Sequence, residues 1–191
     1  SSPLWIGGMI AVKLYDGGPV IFKQERATIN GRRFQVYKLR TMKQNVENYS
    51  ATKNDDRITA PGKFLRRTRI DELPQLLNVL KGDMTFVGPR PEMIKNIEEY
   101  TKELPEFEYR LRVKAGLTGY AQIAGKYNTT PKDKLVMDMM YIEQFSVWRD
   151  LQLILQTAGV LLKSDSAEAF DKKRKKTPYV FPGSDNREEK K

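Results

Sequence analysis

The sequence predicts an α+β fold that is mostly helical, with a small β-hairpin or short sheet surrounded by amphipathic helices. Three observations predict it. Two strand-like runs, Val20-Ile21-Phe22 and Phe34-Gln35-Val36-Tyr37, flank the turn signal Asn30-Gly31, which is the pattern of a hairpin. Leu73, Leu76, Leu77 and Leu80 recur at i, i+3, i+4 and i+7, one apolar helix face. From Leu151 to Leu162 the chain is nearly all apolar, at a length that suits a helix.

Composition bounds the chemistry. At 191 residues the chain supports one domain with a substantial core. Its net charge of +10 points to an anionic partner: a nucleotide, a lipid phosphate, a membrane surface or nucleic acid. There is no Cys, which excludes thiolate catalysis, disulfides and Cys zinc sites. There is no His either, so a Ser-His nucleophile is impossible and the commonest general base is missing. In an enzyme of this composition Asp, Glu, Lys, Ser, Thr or Tyr must carry the reaction.

In chain order, Leu4 to Val12 is an apolar run far short of the roughly 20 residues a spanning helix needs. It also lacks the basic flank and cleavage site of a signal peptide. Asp16-Gly17-Gly18-Pro19 ends it. In the hairpin, Phe34, Val36 and Lys38 share a face because alternate residues point together. Lys38 is a candidate site residue, with an exposed strand lysine the equal alternative. Residues 44–56 are polar and aperiodic and read as a mobile loop, a candidate lid. Pro61-Gly62 opens a short helix that delivers Arg66 and Arg67. In the leucine helix that follows, Asp71 falls near the N-cap and Glu72 in the first turn. Pro74 is tolerated there because first-turn N–H groups have no intrahelical partner, and Lys81-Gly82 supplies the stop.

MTFVGPRPE then reads as a short strand entering a rigid turn that presents Arg90 between two prolines. Met93, Ile94, Ile97 and Tyr100 predict an amphipathic helix, and Pro105 through Phe107 and Leu111 a second such segment. Gly116-Leu117-Thr118-Gly119 fits neither a Walker loop nor a dinucleotide fingerprint. Its glycines allow close backbone approach to a ligand, with Tyr120 and Gln122 beside it, and a packed loop is the competing explanation. Thr130-Pro131 starts a helix with Leu135, Met139 and Ile142 along one side. Asp133 and Asp138 on it could approach a metal, yet surface charges explain them adequately. Ser146 caps the last helix, whose Trp148 and Arg149 suit a membrane interface, with a buried core helix the competing view. From Lys163 onward the composition is polar and charged, with a basic run from Lys172 to Lys176, and reads as a disordered tail.

The chemistry concentrates between Arg66 and Glu92. Asp71 and Glu72 are bracketed by Arg66, Arg67 and Arg69 before and Arg90 after. A lone Asp before a helix is ordinarily a cap worth roughly 1 kcal/mol. Four arginines around two consecutive carboxylates suit phosphate handling instead. A carboxylate that attacks a phosphoryl group approaches an anion, and two like charges at 4 Å repel by about 4 kcal/mol at an effective dielectric near 20. Cations, a metal or a helix N-terminus must offset that repulsion.

KLRTM (Lys38 to Met42), RRTRIDELPQLLNVLKGDMTFVGPRPE (Arg66 to Glu92) and AGLTGYAQIAG (Ala115 to Gly125) resemble the bacterial sugar transferase family. These are monotopic phosphoglycosyl transferases that start glycan assembly on a polyprenol phosphate. The resemblance spans roughly Ser2 to Leu162. It implies transfer of a sugar 1-phosphate, hexose 1-phosphate in the exopolysaccharide and capsule branch, from a UDP-sugar to undecaprenyl phosphate. By the same resemblance Asp71 is the nucleophile that forms an aspartyl phosphosugar, and Glu72, with Asp71, holds Mg2+. Arg66, Arg90 and the KxxTM lysine Lys38 bind substrate, and Tyr120 and Gln122 are placed to contact uracil or sugar. It further implies a site on the cytoplasmic face of the bacterial inner membrane, and contact with an anionic membrane surface. Ser2-Pro3 matches the break of a re-entrant membrane helix, so residues 1–16 are expected to be its second half, with the first half upstream. Residues 17–163 are then the catalytic domain and 164–191 the tail. The helices are expected to lie on the bilayer.

Two other classes remain open on the residues alone. A basic nucleic-acid-binding module would use the same charge, although carboxylates among the arginines would repel its phosphates, so no nucleic-acid partner is expected. A membrane-surface module without catalysis would use the apolar helices and basic tail. The sequence sets no oligomeric state and leaves a homo-oligomer open.

Overall fold

The computed structural model describes residues 2–44, 46, 55–125 and 129–162. Most of the lid expected over 44–56, and all of the tail from residue 163, fall outside them.

The hairpin forms where the turn chemistry places it. Strands β1 (Ile21–Ala27) and β2 (Arg33–Leu39) pair antiparallel, Ile21 opposite Leu39 and Ala27 opposite Arg33. Between them Asn30 and Gly31 both take left-handed φ, 55° and 72°, the conformation those residue types tolerate best. Phe34 and Val36 enter a core cluster with Met84 and Ala115. Helix α1 (Ser2–Asp16) packs Trp5, Met9 and Val12 against Leu39, Leu65 and Ile70. Its other face leaves Leu4, Ile6, Ile10 and Leu14 exposed. Among the described residues no helix is long and apolar enough to cross a membrane, and the fold by itself establishes no re-entrant path. Arg40 fastens the end of α1, donating from Nη1 to Asp16 Oδ2 at 2.6 Å and from Nε to the Pro19 carbonyl at 2.7 Å.

The leucine helix differs from the expectation in two ways. After α2 (Ala60–Arg67) the chain forms a 3-10 turn, Ile70–Gln75, and only then a five-residue helix α3, Leu76–Leu80. Pro74 is the reason: it has no N–H for an α ladder, so the regular helix begins two residues beyond it. The face is also inverted. Asp71, Pro74, Gln75 and Asn78 are buried, while Leu77 and Leu80 are exposed, Leu80 by 83%. The inward side lies along β2 and needs hydrogen bonds more than apolar contact. Asn78 Oδ1 accepts from Tyr37 N at 3.1 Å and Asn78 Nδ2 donates to Gln35 O at 2.7 Å, which closes that edge of β2. Lys81 and Gly82, the latter at φ 76°, end α3 as expected.

A second sheet pairs β3 (Thr85–Val87) with β4 (Gly116–Thr118) in parallel. The crossover contains helix α4 (Ile94–Glu103) and a 3-10 segment, Pro105–Arg112. A Cβ on Gly116 would lie 2.1 Å from Gly88 N. Gly116 is therefore used for backbone packing rather than for approach to a ligand. Helix α5 (Tyr120–Ile123) leads to α6 (Pro131–Glu143), where Thr130 and Asp133 form a capping box. Asp133 fits its surface reading. Asp138 does not: it is 2% exposed and paired with Arg110. Ser146 Oγ accepts from Arg149 N at 3.2 Å at the start of α7 (Val147–Leu162). One side of α7 is core, with Leu153 buried beside Val87 and Tyr141, while Val147, Trp148, Leu151 and Leu155 on the same helix are exposed.

Candidate active site

The site is assembled where α2 meets the end of β2. Thr59 caps α2 by accepting from Gly62 N at 3.1 Å. Glycine is required at 62, because a Cβ there would lie 2.1 Å from Thr41 O. That close seat brings Arg66 Nε to Thr41 Oγ1 at 2.8 Å. Beyond α2 the chain reverses at Arg69, a non-glycine residue at φ 58°, a conformation that costs on the order of 1 kcal/mol or more. The reversal aims Asp71 inward. Arg69, not Asp71, occupies the cap position, and no side chain caps the turn. The expected N-cap role of Asp71 is thus corrected: its carboxylate is turned into the protein, 7% exposed.

Glu72 collects the cations. Lys38 Nζ, projecting from β2, donates to Oε1 at 2.9 Å. Arg90 donates to the same carboxylate with both prongs, Nη2 to Oε1 at 2.5 Å and Nη1 to Oε2 at 3.3 Å. Arg69 Nη1 stands 3.9 Å from Oε2. Burial alone would raise the Glu72 pKa, but Arg90 and Lys38 outweigh it and hold the carboxyl well below its ordinary value. Asp71 behaves oppositely. Burial first, and the negative charge of Glu72 second, push it up to about 6 against the pull of Lys38, Arg66 and Arg69. Adjacent acids with divergent proton affinity are what a site with divided roles requires.

One atom stands out. Asp71 Oδ1 is buried and accepts no hydrogen bond, a state that costs free energy unless something pairs with it. Four cations (Lys38, Arg66, Arg69 and Arg90) act on the two carboxylates, so positive charge is left over for an incoming anion. The orphaned oxygen also bears on magnesium, which takes one or two carboxylates and completes its shell with water and substrate phosphates. Among the described residues no group of three metal-ligating side chains converges. Of the two carboxylates, Asp71 offers an open oxygen, Oδ1, that fits a cation, while the Glu72 oxygens are taken by Lys38 and Arg90.

Lys38, Arg66, Asp71, Glu72 and Arg90 are thus brought together. Tyr120 packs instead with the cluster of Val87, Tyr141 and Leu153. Gln122 has both amide atoms buried without a hydrogen-bond partner. Sequence reasoning missed Thr41, which holds Arg66, and the buried pair Arg110–Asp138. A signal existed for the latter: Asp138 is a lone charge in Val-Met-Asp-Met-Met.

A family model described as bacterial sugar transferase matches residues 1–164. The chain is 41% identical over 174 residues to a UDP-glucose:undecaprenyl-phosphate glucose-1-phosphate transferase of Caulobacter vibrioides, covering 87% of this chain and 65% of that protein. It is 40% identical over 167 residues to a UDP-N-acetylgalactosamine-undecaprenyl-phosphate N-acetylgalactosaminephosphotransferase of Aeromonas hydrophila, covering 84% and 40%. It is 37% identical over 170 residues to an undecaprenyl-phosphate galactose phosphotransferase of Salmonella typhimurium, covering 80% and 35%. The chain therefore spans between about a third and two-thirds of the length of these relatives.

Proposed function

This chain belongs to the bacterial sugar transferase family, and from that premise we propose that it carries the site transferring a sugar 1-phosphate from a UDP-sugar to undecaprenyl phosphate. The observation that carries the proposal is Asp71 Oδ1, buried, unpaired and set among four cations. An Asp71 oxygen attacks the phosphorus that bears the sugar. The bond from that phosphorus to the bridging oxygen breaks, and UMP leaves with the electron pair. An oxygen of the lipid phosphate then attacks the same phosphorus, freeing Asp71 and giving a polyprenyl diphosphosugar. Two anionic substrates use one positively charged site in turn, which is ping-pong order.

Arg66 and Arg90 grip phosphate oxygens with planar forks, and Lys38 adds a point charge beside them. Asp71 and Glu72 are the residues that would hold Mg2+, which when bound would screen the diphosphate and the departing UMP. Because Asp71 is 7% exposed, the surrounding side chains must part for the phosphoryl group to reach it. Gln122 is assigned to the uracil or sugar, its unpaired amide being the support for it, whereas the packing of Tyr120 in the core gives that residue no such support. The relatives' names differ in sugar, glucose, N-acetylgalactosamine and galactose, so the class is a hexose or N-acetylhexosamine 1-phosphate and the sugar is left to experiment. The reaction belongs at the cytoplasmic face of the inner membrane, with α1 as the returning half of a re-entrant helix.

The test uses the full-length protein in nanodiscs with undecaprenyl phosphate and a panel of UDP-sugars. UMP release and a covalent phosphosugar adduct on the peptide containing Asp71 are expected, and both should vanish in Asp71→Asn. Normal turnover in that variant, with no adduct trapped in either protein, would refute the assignment. Glu72→Gln should raise the Mg2+ concentration needed for activity; an unchanged titration would remove it as a ligand. Lipid binding without UMP release would leave a membrane-surface module instead.

A further inference from the structure

Arg90 is delivered to Glu72 by a segment that can hardly hold itself. In Pro89-Arg90-Pro91-Glu92 the two prolines carry no N–H, so little of this backbone can join a ladder or a turn. Its carbonyls are held from outside instead, each by a different donor. Gly116 N donates to Pro89 O at 2.9 Å, and Arg110 Nη2 to Arg90 O at 2.8 Å. Arg26 Nη1 donates to Pro91 O at 3.3 Å, and Ala27 N to Glu92 O at 3.2 Å.

The Arg110 contact is the one that falls on Arg90 itself, and it is built at evident cost. Arg110 is 3% exposed, a burial that a guanidinium tolerates only when paired. Asp138 supplies the pair: its Oδ2 accepts from Arg110 Nε at 2.8 Å and lies 2.8 Å from Nη2. Glu92 Oε2 stands 3.9 Å from Nη1 and is itself held by Lys134 at 3.3 Å. A buried ion pair of this kind adds little net stability over apolar residues of the same size. A fixed donor for a carbonyl, however, is something apolar residues cannot supply.

We propose that Arg110, oriented by Asp138, is a positioning residue that fixes the Pro89–Glu92 turn and so aims the Arg90 guanidinium at the phosphate site. The proposal rests on the reading of Arg90 as a phosphate-gripping residue. It extends the site to a second layer, since Asp138 lies on α6 and touches Arg90 only through Arg110.

The full-length chain is compared with three variants: Asp138→Asn, Arg110→Lys, and the double variant Arg110→Met with Asp138→Leu, which removes both charges together. Amide deuterium exchange is read on peptides covering residues 113–119, whose Gly116 N–H donates to Pro89 O, 105–112 and 131–143, and UMP release gives kcat and KM for UDP-glucose. In Arg110→Lys and the double variant, exchange over 113–119 should quicken by about tenfold with the other two peptides little changed. Turnover should fall by about tenfold to a hundredfold, with KM within about threefold, as expected when a transition-state contact is misplaced. Folded variants with unchanged exchange over 113–119 and unchanged kcat would overturn the proposal. Loosening spread equally over all three peptides would also overturn it, by making the pair a support of the fold. Should the wild-type chain release no UMP, the transfer reading fails, and the exchange data alone still decide whether Arg110 holds the turn.

Discussion

Asp71 and Glu72 are neighbours with opposite linkage to pH. An unfolded Asp ionises near 3.8, whereas folded Asp71 keeps its proton up to about 6. Between those values the folded chain binds more protons than the unfolded one, so this contribution is fully present below pH 3.8 and is lost as pH rises through about 6. At 1.36 kcal/mol per unit the loss is about 3 kcal/mol. Asp71→Asn, which cannot ionise, is therefore expected to melt higher than wild type at pH 7.5 while losing activity, and the gain should disappear near pH 4. Thermal unfolding at the two pH values checks it. Glu72 has the reverse sign: its stabilisation is present above its unfolded value of 4.5 and is lost as pH falls through its depressed folded value. Glu72→Gln strands Lys38 and Arg90, and should destabilise the protein by about 1–3 kcal/mol at pH 7.5, below the figure for a fully buried pair because Arg90 is 38% exposed. Activity should follow ionised Asp71, rising on the acid side through about pH 6; a profile flat from pH 5 to 8 would contradict its role as nucleophile.

At the scale of the element, α3 and its preceding turn show why periodicity found the helix and misplaced its face. A 3.6-residue repeat locates an apolar stripe but says nothing about which side the core lies on. Here the interior side is dictated by β2, whose free carbonyl and amide require Asn78. Urea unfolding should separate the two faces. Asn78→Ala leaves Gln35 O and Tyr37 N unpaired at a fully buried position, and is expected to cost about 2–4 kcal/mol. Leu80→Ser, at a position 83% exposed, should change stability by less than about 0.5 kcal/mol. The reverse order would mean that the leucines are core after all. The hairpin was legible because Asn30-Gly31 acts locally. The β3–β4 pair was not, since strands of three residues carry no alternation and their partner lies some 30 residues away. In the site, clustering in sequence revealed Asp71, Glu72, Arg66 and Arg90, whereas Lys38 was marked by its resemblance to the family's KxxTM lysine. Arg110 and Asp138 meet across 28 positions, so no local pattern joins them.

Across the whole molecule the exposed leucines of α3 are one part of a larger pattern. Leu4, Ile10 and Leu14 on α1, Phe64 on α2, and Val147, Trp148, Leu151 and Leu155 on α7 are also exposed, on a chain of net charge +10. Apolar helix faces joined to excess positive charge are what a protein resting on an anionic bilayer presents, and the lipid acceptor proposed above would be met at such a surface. The two forces respond differently to salt. Screening weakens attraction to anionic headgroups, but not the burial of side chains in the acyl region. Flotation with vesicles of neutral and anionic lipid should show binding that weakens with salt to a plateau above zero. The two tryptophans of the chain should shift to shorter emission wavelength on binding, and the shift should shrink in Trp148→Phe. Replacing Leu155 by Gln should weaken binding by about tenfold, from roughly 1–2 kcal/mol of apolar burial, without lowering the melting temperature in the absence of lipid. Loss of all binding at high salt would assign membrane attachment to charge alone, and α7 would then need another partner for its apolar face.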